Sequence, residues 1–277
     1  MAAPCPRGLW IAALVFSLAG GLPATGRADA VEPESPAISI IIDDLGNEMA
    51  HGEAALALPG PVTLAFLPHT PHARELAKRA HAIGKEVMLH LPMESHNGYP
   101  LGPGALTLDL TEQEFLDTLR GDLDSLPYVV GINNHMGSLL TRHPGAMGWL
   151  MKELRTRGNL FFVDSRTTRQ TVAEQVARER GVPAARRNVF LDNNRDPAAI
   201  HRQFRQLVKM AQHQGYAIGI GHPYMQTMAV LKQELTQLGR SGVRLISTSE
   251  LIALQERDPS WPGSSFPSPQ VVKSSKR

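Results

Sequence analysis

Eight short apolar runs, at residues 38–42, 62–67, 86–91, 129–132, 160–163, 189–191, 217–220 and 244–246, alternate with stretches of helical spacing. Runs this short, rich in Val, Ile and Leu, read as buried strands. Helical stretches run into Gly84, Gly158, Gly181, Gly215 and Gly242, where a helix favours a left-handed C-terminal residue. Thr111 with Glu114 three residues later is a capping-box pattern. The segment it opens carries Phe115, Leu116, Leu119, Leu123 and Leu126 at helical spacing. A strand–helix rhythm of this kind predicts an α/β fold with a mostly parallel sheet, open or closed into a barrel. No shift in composition divides it into two domains.

The ends of the chain read differently. Arg7 precedes an apolar stretch at residues 9–18 that continues to Leu22, and Ala28-Asp29-Ala30 offers a small-x-small cleavage site. This pattern predicts a signal peptide over residues 1–30, the alternative being an uncleaved membrane anchor. The stretch is short for a membrane span, which takes roughly 20 residues. The expected organisation is a linker over 31–37, a barrel domain over 38–256 and a disordered tail over 257–277. Cys5, the single cysteine, lies in the leader, so the mature chain rests on a packed core without disulfides. A periplasmic protein with no stable transmembrane span after cleavage is the economical reading. The formal net charge of +2 provides no basic surplus for nucleic acid.

The strand ends carry the chemistry. Asp43-Asp44 follows the first run, Pro68-His69 the second, and His90 falls at the end of the third, with Pro92, Met93 and Glu94 beyond it. Asn133-Asn134-His135, Asp164-Ser165, Asp192-Asn193 and His222-Pro223 follow the next four. All lie on the C-terminal side of their strands, the side on which parallel α/β folds assemble their sites. Side chains alternate along a strand, so Asp43 and Asp44 face the same way only if the chain has begun to turn. Burying both unpaired costs several kcal/mol, which a cation or a division of roles removes. Singly, each of these residues reads equally well as a cap or a hydrogen-bonded group at the core edge. Jointly they suit a divalent metal, most simply zinc held by Asp44, His90 and His135. Residues 133–138, dense in amides, hydroxyl and glycine, suit close approach by a polar substrate. His69 and His72 are expected at the surface. No phosphate-binding loop, Gly-x-Ser-x-Gly elbow or dinucleotide fingerprint is present.

In this order, Ile41-Ile42-Asp43-Asp44-Leu45-Gly46, Leu89-His90-Leu91-Pro92-Met93-Glu94, Asn133-Asn134-His135-Met136-Gly137-Ser138, Phe162-Val163-Asp164-Ser165 and Gly219-Ile220-Gly221-His222-Pro223 form a specific set. The chain resembles the divergent polysaccharide deacetylase family, a branch of the deacetylases of carbohydrate esterase family four, over roughly residues 38–254. The resemblance implies a distorted (β/α) barrel of about seven parallel strands. It also implies metal-assisted removal of acetyl groups from a polysaccharide. By motif position it makes Asp43 the base, Asp44 and His90 metal ligands and His222 the acid. Glu94 stands where the typical deacetylases carry a second His ligand, so His135 is inferred as the third. Asn133-Asn134-His135 replaces the typical Arg-Pro-Pro stretch. Glu94, Asn133, Asn134, Ser138 and Asp164 are expected to face the substrate, a polysaccharide or peptidoglycan-type glycan of the cell envelope, where protein partners are also expected. Two other readings are a non-catalytic periplasmic glycan-binding or scaffold protein on a degenerate barrel, and a two-carboxylate glycosidase. The glycosidase fits poorly because its carboxylates need a separation of ~5–9 Å.

Overall fold

The computed structural model describes residues 1–3, 35–158 and 160–257, so the leader, most of the linker and the tail lie outside the described residues. The elements alternate as β1 (Ala37–Leu45), α1 (Met49–Leu56), β2 (Thr63–Phe66), α2 (Ala73–Ala82), β3 (Val87–Met93), α3 (Glu112–Ser125), β4 (Val129–Met136), α4 (Pro144–Arg157), β5 (Phe161–Asp164), α5 (Ala173–Glu179), β6 (Ala184–Arg186), β7 (Val189–Phe190), α6 (Pro197–Gln214), β8 (Tyr216–Gly221), α7 (Met225–Gln237), β9 (Arg244–Leu245) and α8 (Thr248–Arg257). The sheet runs β6-β5-β4-β3-β2-β1-β8-β7, with β9 beside β1, and its paired strands are parallel. This curled sheet with helices outside is the expected (β/α) barrel, left open between β6 and β7.

Two differences from the sequence reading have local causes. The sheet holds nine strands among the described residues, against about seven expected. Ala184–Arg186 has too short an apolar run to register as a strand, yet it pairs with β5. Secondly, β1 and β4 extend past their apolar runs. Asp43 and Asp44 belong to β1, and Asn133, Asn134 and His135 belong to β4, so these polar residues form the strands' last rungs rather than loops after them.

The alternation of side chains divides the core in two. Ile38, Ile40, Ile42, Leu64 and Leu89 pack outward under the helices. Ala37, Ile41, Ala65, Met88, Phe161, Ile218 and Ile220 fill the interior together with Leu251 and Ile252 of α8. That helix closes the floor of the barrel: the Thr248 hydroxyl lies 2.8 Å from those of Ser39 and Thr63, and the Glu86 carboxylate accepts the Thr248 N–H at 2.9 Å. Gly131 is required inside, since a Cβ there would lie 2.3 Å from the Phe161 ring. Counting by two from Ile41, Met88, Gly131 and Ile220 brings Asp43, His90, Asn133 and His222 over this interior at the C-terminal mouth.

The capping box at the start of α3 is present, with Thr111 Oγ1 accepting from Glu114 N and Glu114 Oε2 accepting from Thr111 N at 2.9 Å. Thr111→Ala is expected to lower stability by about 1 kcal/mol, measured by urea denaturation; an unchanged midpoint would show that the cap contributes nothing. No helix among the described residues is long and apolar enough to cross a membrane.

Candidate metal centre

Asp44 and Asp43 meet in one cavity because the chain turns at Asp44. Its φ is +58°, a left-handed value that Asp tolerates better than most residues. Between Ile42 and Leu45 the register of β1 against β2 slips: three steps along β1 oppose two along β2. This β-bulge re-aims one side chain at the mouth of the barrel, and Asp44 is that side chain. Met136, with φ +54°, ends β4 in the same backbone region directly after His135.

Three ligand-type atoms then form a compact triangle. Asp44 Oδ1 lies 2.9 Å from His135 Nδ1 and 3.1 Å from His90 Nε2, and the two nitrogens are 3.1 Å apart. Asp44 Oδ1 is buried, yet no donor is aligned on it with hydrogen-bond geometry. His135 Nδ1 and His90 Nε2 are hydrogen-bonded to each other, and all three atoms lie close enough to share one ion. Tetrahedral zinc at 2.0–2.1 Å from its ligands sets those ligands roughly 3.3 Å apart. The triangle therefore fits such an ion after shifts of a few tenths of an ångström, and two imidazoles with one carboxylate are a zinc-type donor set.

The surrounding hydrogen bonds orient the same atoms. Asn133 Oδ1 lies 2.9 Å from His90 Nδ1, which orients the ring with Nε2 facing the triangle. Asn133 Nδ2 donates to Asp43 Oδ1 at 2.7 Å and to Ser165 Oγ at 3.3 Å. Asn133 is fully buried with both ends engaged, so it holds Asp43 and His90 in place and has no atom left for a substrate. Burial acts to lower the His90 pKa, but the charges of Asp43 and Asp44 and the Asn133 contact raise it to about 9. Burial acts to raise that of Asp44, and the His135 and His90 nitrogens outweigh it, holding the carboxyl well below the usual range. For Asp43 burial dominates and pushes the pKa up, against the charges of His90 and His222.

His222 directly follows β8, which pairs with β1. Its Nδ1 lies 3.0 Å from Asp192 Oδ1, while Nε2 faces the triangle at 3.7 Å from Asp44 Oδ2. Asp192 Oδ2 accepts from His222 N at 2.6 Å and from Thr227 Oγ1 at 2.8 Å, which leaves the carboxylate no freedom to turn away. Burial lowers the His222 pKa, but the Asp192 bond and the carboxylates nearby raise it above the ordinary histidine value. Asp192 stood in the strand-end pattern, but its pairing with His222 depends on the β7–β8 adjacency, which the sequence does not spell out.

The cavity, of about 420 Å³, is lined by Asp43, Asp44, His90, Asn134, His135 and His222, together with Ser165, Arg166, Arg187, Phe190 and Asn193. Four expected substrate contacts behave differently. Glu94, Ser138 and Asp164, like Asn133, are not among the lining residues. Glu94 accepts from Leu108 N at 2.7 Å and so latches the β3–α3 loop. Ser138 accepts from His96 N at 3.1 Å, and buried Asp164 accepts from Arg166 N and Thr171 Oγ1 at 2.8 and 2.7 Å. Asn134 does line the cavity, but its amide is engaged by the Met136 carbonyl and the Ser165 N–H. His69 is partly exposed and lies 2.9 Å from buried Asp122.

A family model described as divergent polysaccharide deacetylase matches residues 40–252. The uncharacterized protein YibQ of Escherichia coli (strain K12) is 38% identical over 225 residues, covering 81% of this chain and 70% of that protein. An uncharacterized protein of Haemophilus influenzae is 35% identical over 201 residues, covering 73% and 71%. Among solved structures, an uncharacterized protein from Agrobacterium tumefaciens C58 shares the fold with a TM-score of 0.75, at 24% identity, over 78% of this chain and 89% of that one. With the five sequence motifs converging on one barrel mouth and a family model spanning the described barrel, the chain belongs to the divergent polysaccharide deacetylase family.

Proposed function

We propose that the protein is a metal-dependent hydrolase that removes acetyl groups from a cell-envelope glycan in the periplasm, after cleavage of a signal peptide at residue 30. The observation that carries this reading is that Asp43 and His222 flank the Asp44–His90–His135 triangle within one cavity. Asp44, His90 and His135 would hold a zinc-type cation, which would supply Lewis acidity and lower the pKa of water toward ~7. Asp43 takes the proton of the attacking water; desolvation raises its pKa, which makes it a better base. His222, whose pKa the Asp192 bond raises against burial, donates from Nε2 to the leaving amine or alkoxide. Phe190, 5.4 Å from the His222 ring, offers an apolar face to a sugar. His135 occupies the ligand position that Glu94 does not fill, which favours an active enzyme over a glycan-binding scaffold. The test is acetate release from N-acetylated and O-acetylated envelope glycans by the zinc-loaded protein. Release abolished by chelation and restored by zinc supports the reading, and none from any of these glycans contradicts it.

A pH profile tests the two proton-transfer roles. Activity rises with pH as Asp43 ionises and falls as His222 loses its proton, so log(kcat/KM) is expected to be bell-shaped. Because Asp192 raises the His222 pKa, Asp192→Asn is expected to move the alkaline limb to lower pH and to reduce kcat at least ~10-fold. An alkaline limb that stays in place would remove His222 from the acid's role.

A further inference from the structure

Two arginines, Arg166 and Arg187, line the same cavity as the metal triangle. Arg187 is fixed: Nε donates to the Ser165 carbonyl at 2.6 Å and Nη2 to the Arg166 carbonyl at 3.0 Å. Its guanidinium also lies over the Phe190 ring, 4.8 Å from the centroid. Arg166 has φ +51°, a strained value for an arginine, held by the bond from its N–H to Asp164 Oδ1. Its guanidinium makes no hydrogen bond or ion pair among the described residues, although it lines the cavity. Neither guanidinium has a carboxylate within ion-pair distance among the described residues. Their mutual proximity shows in Arg187, whose pKa is lowered by burial and then by Arg166, against Asp43 and Asp164.

The lining holds two carboxylates, Asp43 and Asp44, against these two guanidiniums. A divalent cation on the triangle would then leave the loaded cavity positive. Arginine forks of fixed geometry suit planar or tetrahedral oxyanions. A reaction at a neutral acetyl group makes no use of a second, unpaired guanidinium beyond the catalytic groups.

We propose that Arg166 and Arg187 form an oxyanion-binding subsite, and that the substrate is an acetylated sugar bearing its own anionic group, a carboxylate or a phosphate, beside the acetyl group. This rests on reading the cavity as the deacetylase site, but binding measurements report on it separately. The full-length mature protein, loaded with zinc, is titrated calorimetrically with N-acetylglucosaminyl-N-acetylmuramic acid, with the methyl ester of its lactyl carboxylate, and with N,N′-diacetylchitobiose 6-phosphate. The wild type is expected to bind the free acid or the phosphate at least about 10-fold tighter than the neutral ester, and the tighter of the two identifies the anion. Arg166→Asn, which tolerates positive φ, is expected to bring that preference below about threefold, and Arg166→Lys to restore part of it. Thermal unfolding verifies that the variants fold, and Arg187→Lys gives a second, independent loss of preference. Equal binding of acid and ester, no binding of any of the three, or a preference unchanged in both Arg166→Asn and Arg187→Lys overturns the subsite. Acid-selective binding without acetate release removes the hydrolase reading and leaves the subsite standing; acetate release without acid selectivity does the reverse.

Discussion

Asp44→Ala is expected to strip the protein of zinc and to lower acetate release by at least about 10³-fold. The residue supplies one corner of the triangle, and its Oδ1 is the atom that both imidazole nitrogens approach to within 3.1 Å. Without it two histidines remain, one ligand short of the usual three at a catalytic zinc. Lewis-acid assistance is worth several kcal/mol of barrier, and each 1.36 kcal/mol is tenfold in rate. Fold is expected to survive, since Asp44 is partly exposed at a bulge and an alanine there adds only the local cost of a left-handed backbone. Metal content by mass spectrometry and acetate release measured on the same sample check both halves. A variant that keeps zinc and wild-type turnover removes Asp44 from the centre.

Asp43→Asn separates the base from the ligands. Its carboxylate is buried at the end of the interior face of β1 and accepts from Asn133 Nδ2 at 2.7 Å. An asparagine oxygen can accept the same bond, so the geometry of His90 and the metal content are expected to persist. The amide cannot take a proton from water, and turnover is expected to fall roughly 10²- to 10⁴-fold, the range of a positioned general base. Burial already works against the Asp43 charge, so stability in urea is expected to be equal or higher. Loss of zinc together with activity would mean that Asp43, and not Asp44 alone, serves the metal.

These two residues also show how far the chain can be read without its structure. Their adjacency at the end of an apolar run marks a site, because alternation forbids both from facing the core in a regular strand. The device that lets both reach the cavity, a one-residue bulge with Asp44 at positive φ, depends on pairing with β2 and leaves no mark in the spacing. His90 and His135 were legible as strand-end imidazoles, and the parallel register pairing His90 with Asn133 brings them together. Asn133 and Asp164 read as substrate contacts because their side chains are polar; burial and fully used hydrogen bonds assign them to the scaffold instead. Arg166 and Arg187 were invisible: they lie beyond β5 and between two strands of three and two residues, too short to signal periodicity. The barrel itself was readable from rhythm, while its short edge strand β6 was not.

Metal held by Asp44, His90 and His135 is what the proposed activity depends on most directly. Anomalous diffraction from crystals of the zinc-loaded protein, collected on both sides of the zinc absorption edge, locates the ion directly. The prediction is one peak per chain at the triangle, about 2.0–2.1 Å from His90 Nε2 and His135 Nδ1 and within bonding distance of Asp44 Oδ1. A triangle without a peak, or zinc bound only elsewhere on the chain, would contradict it.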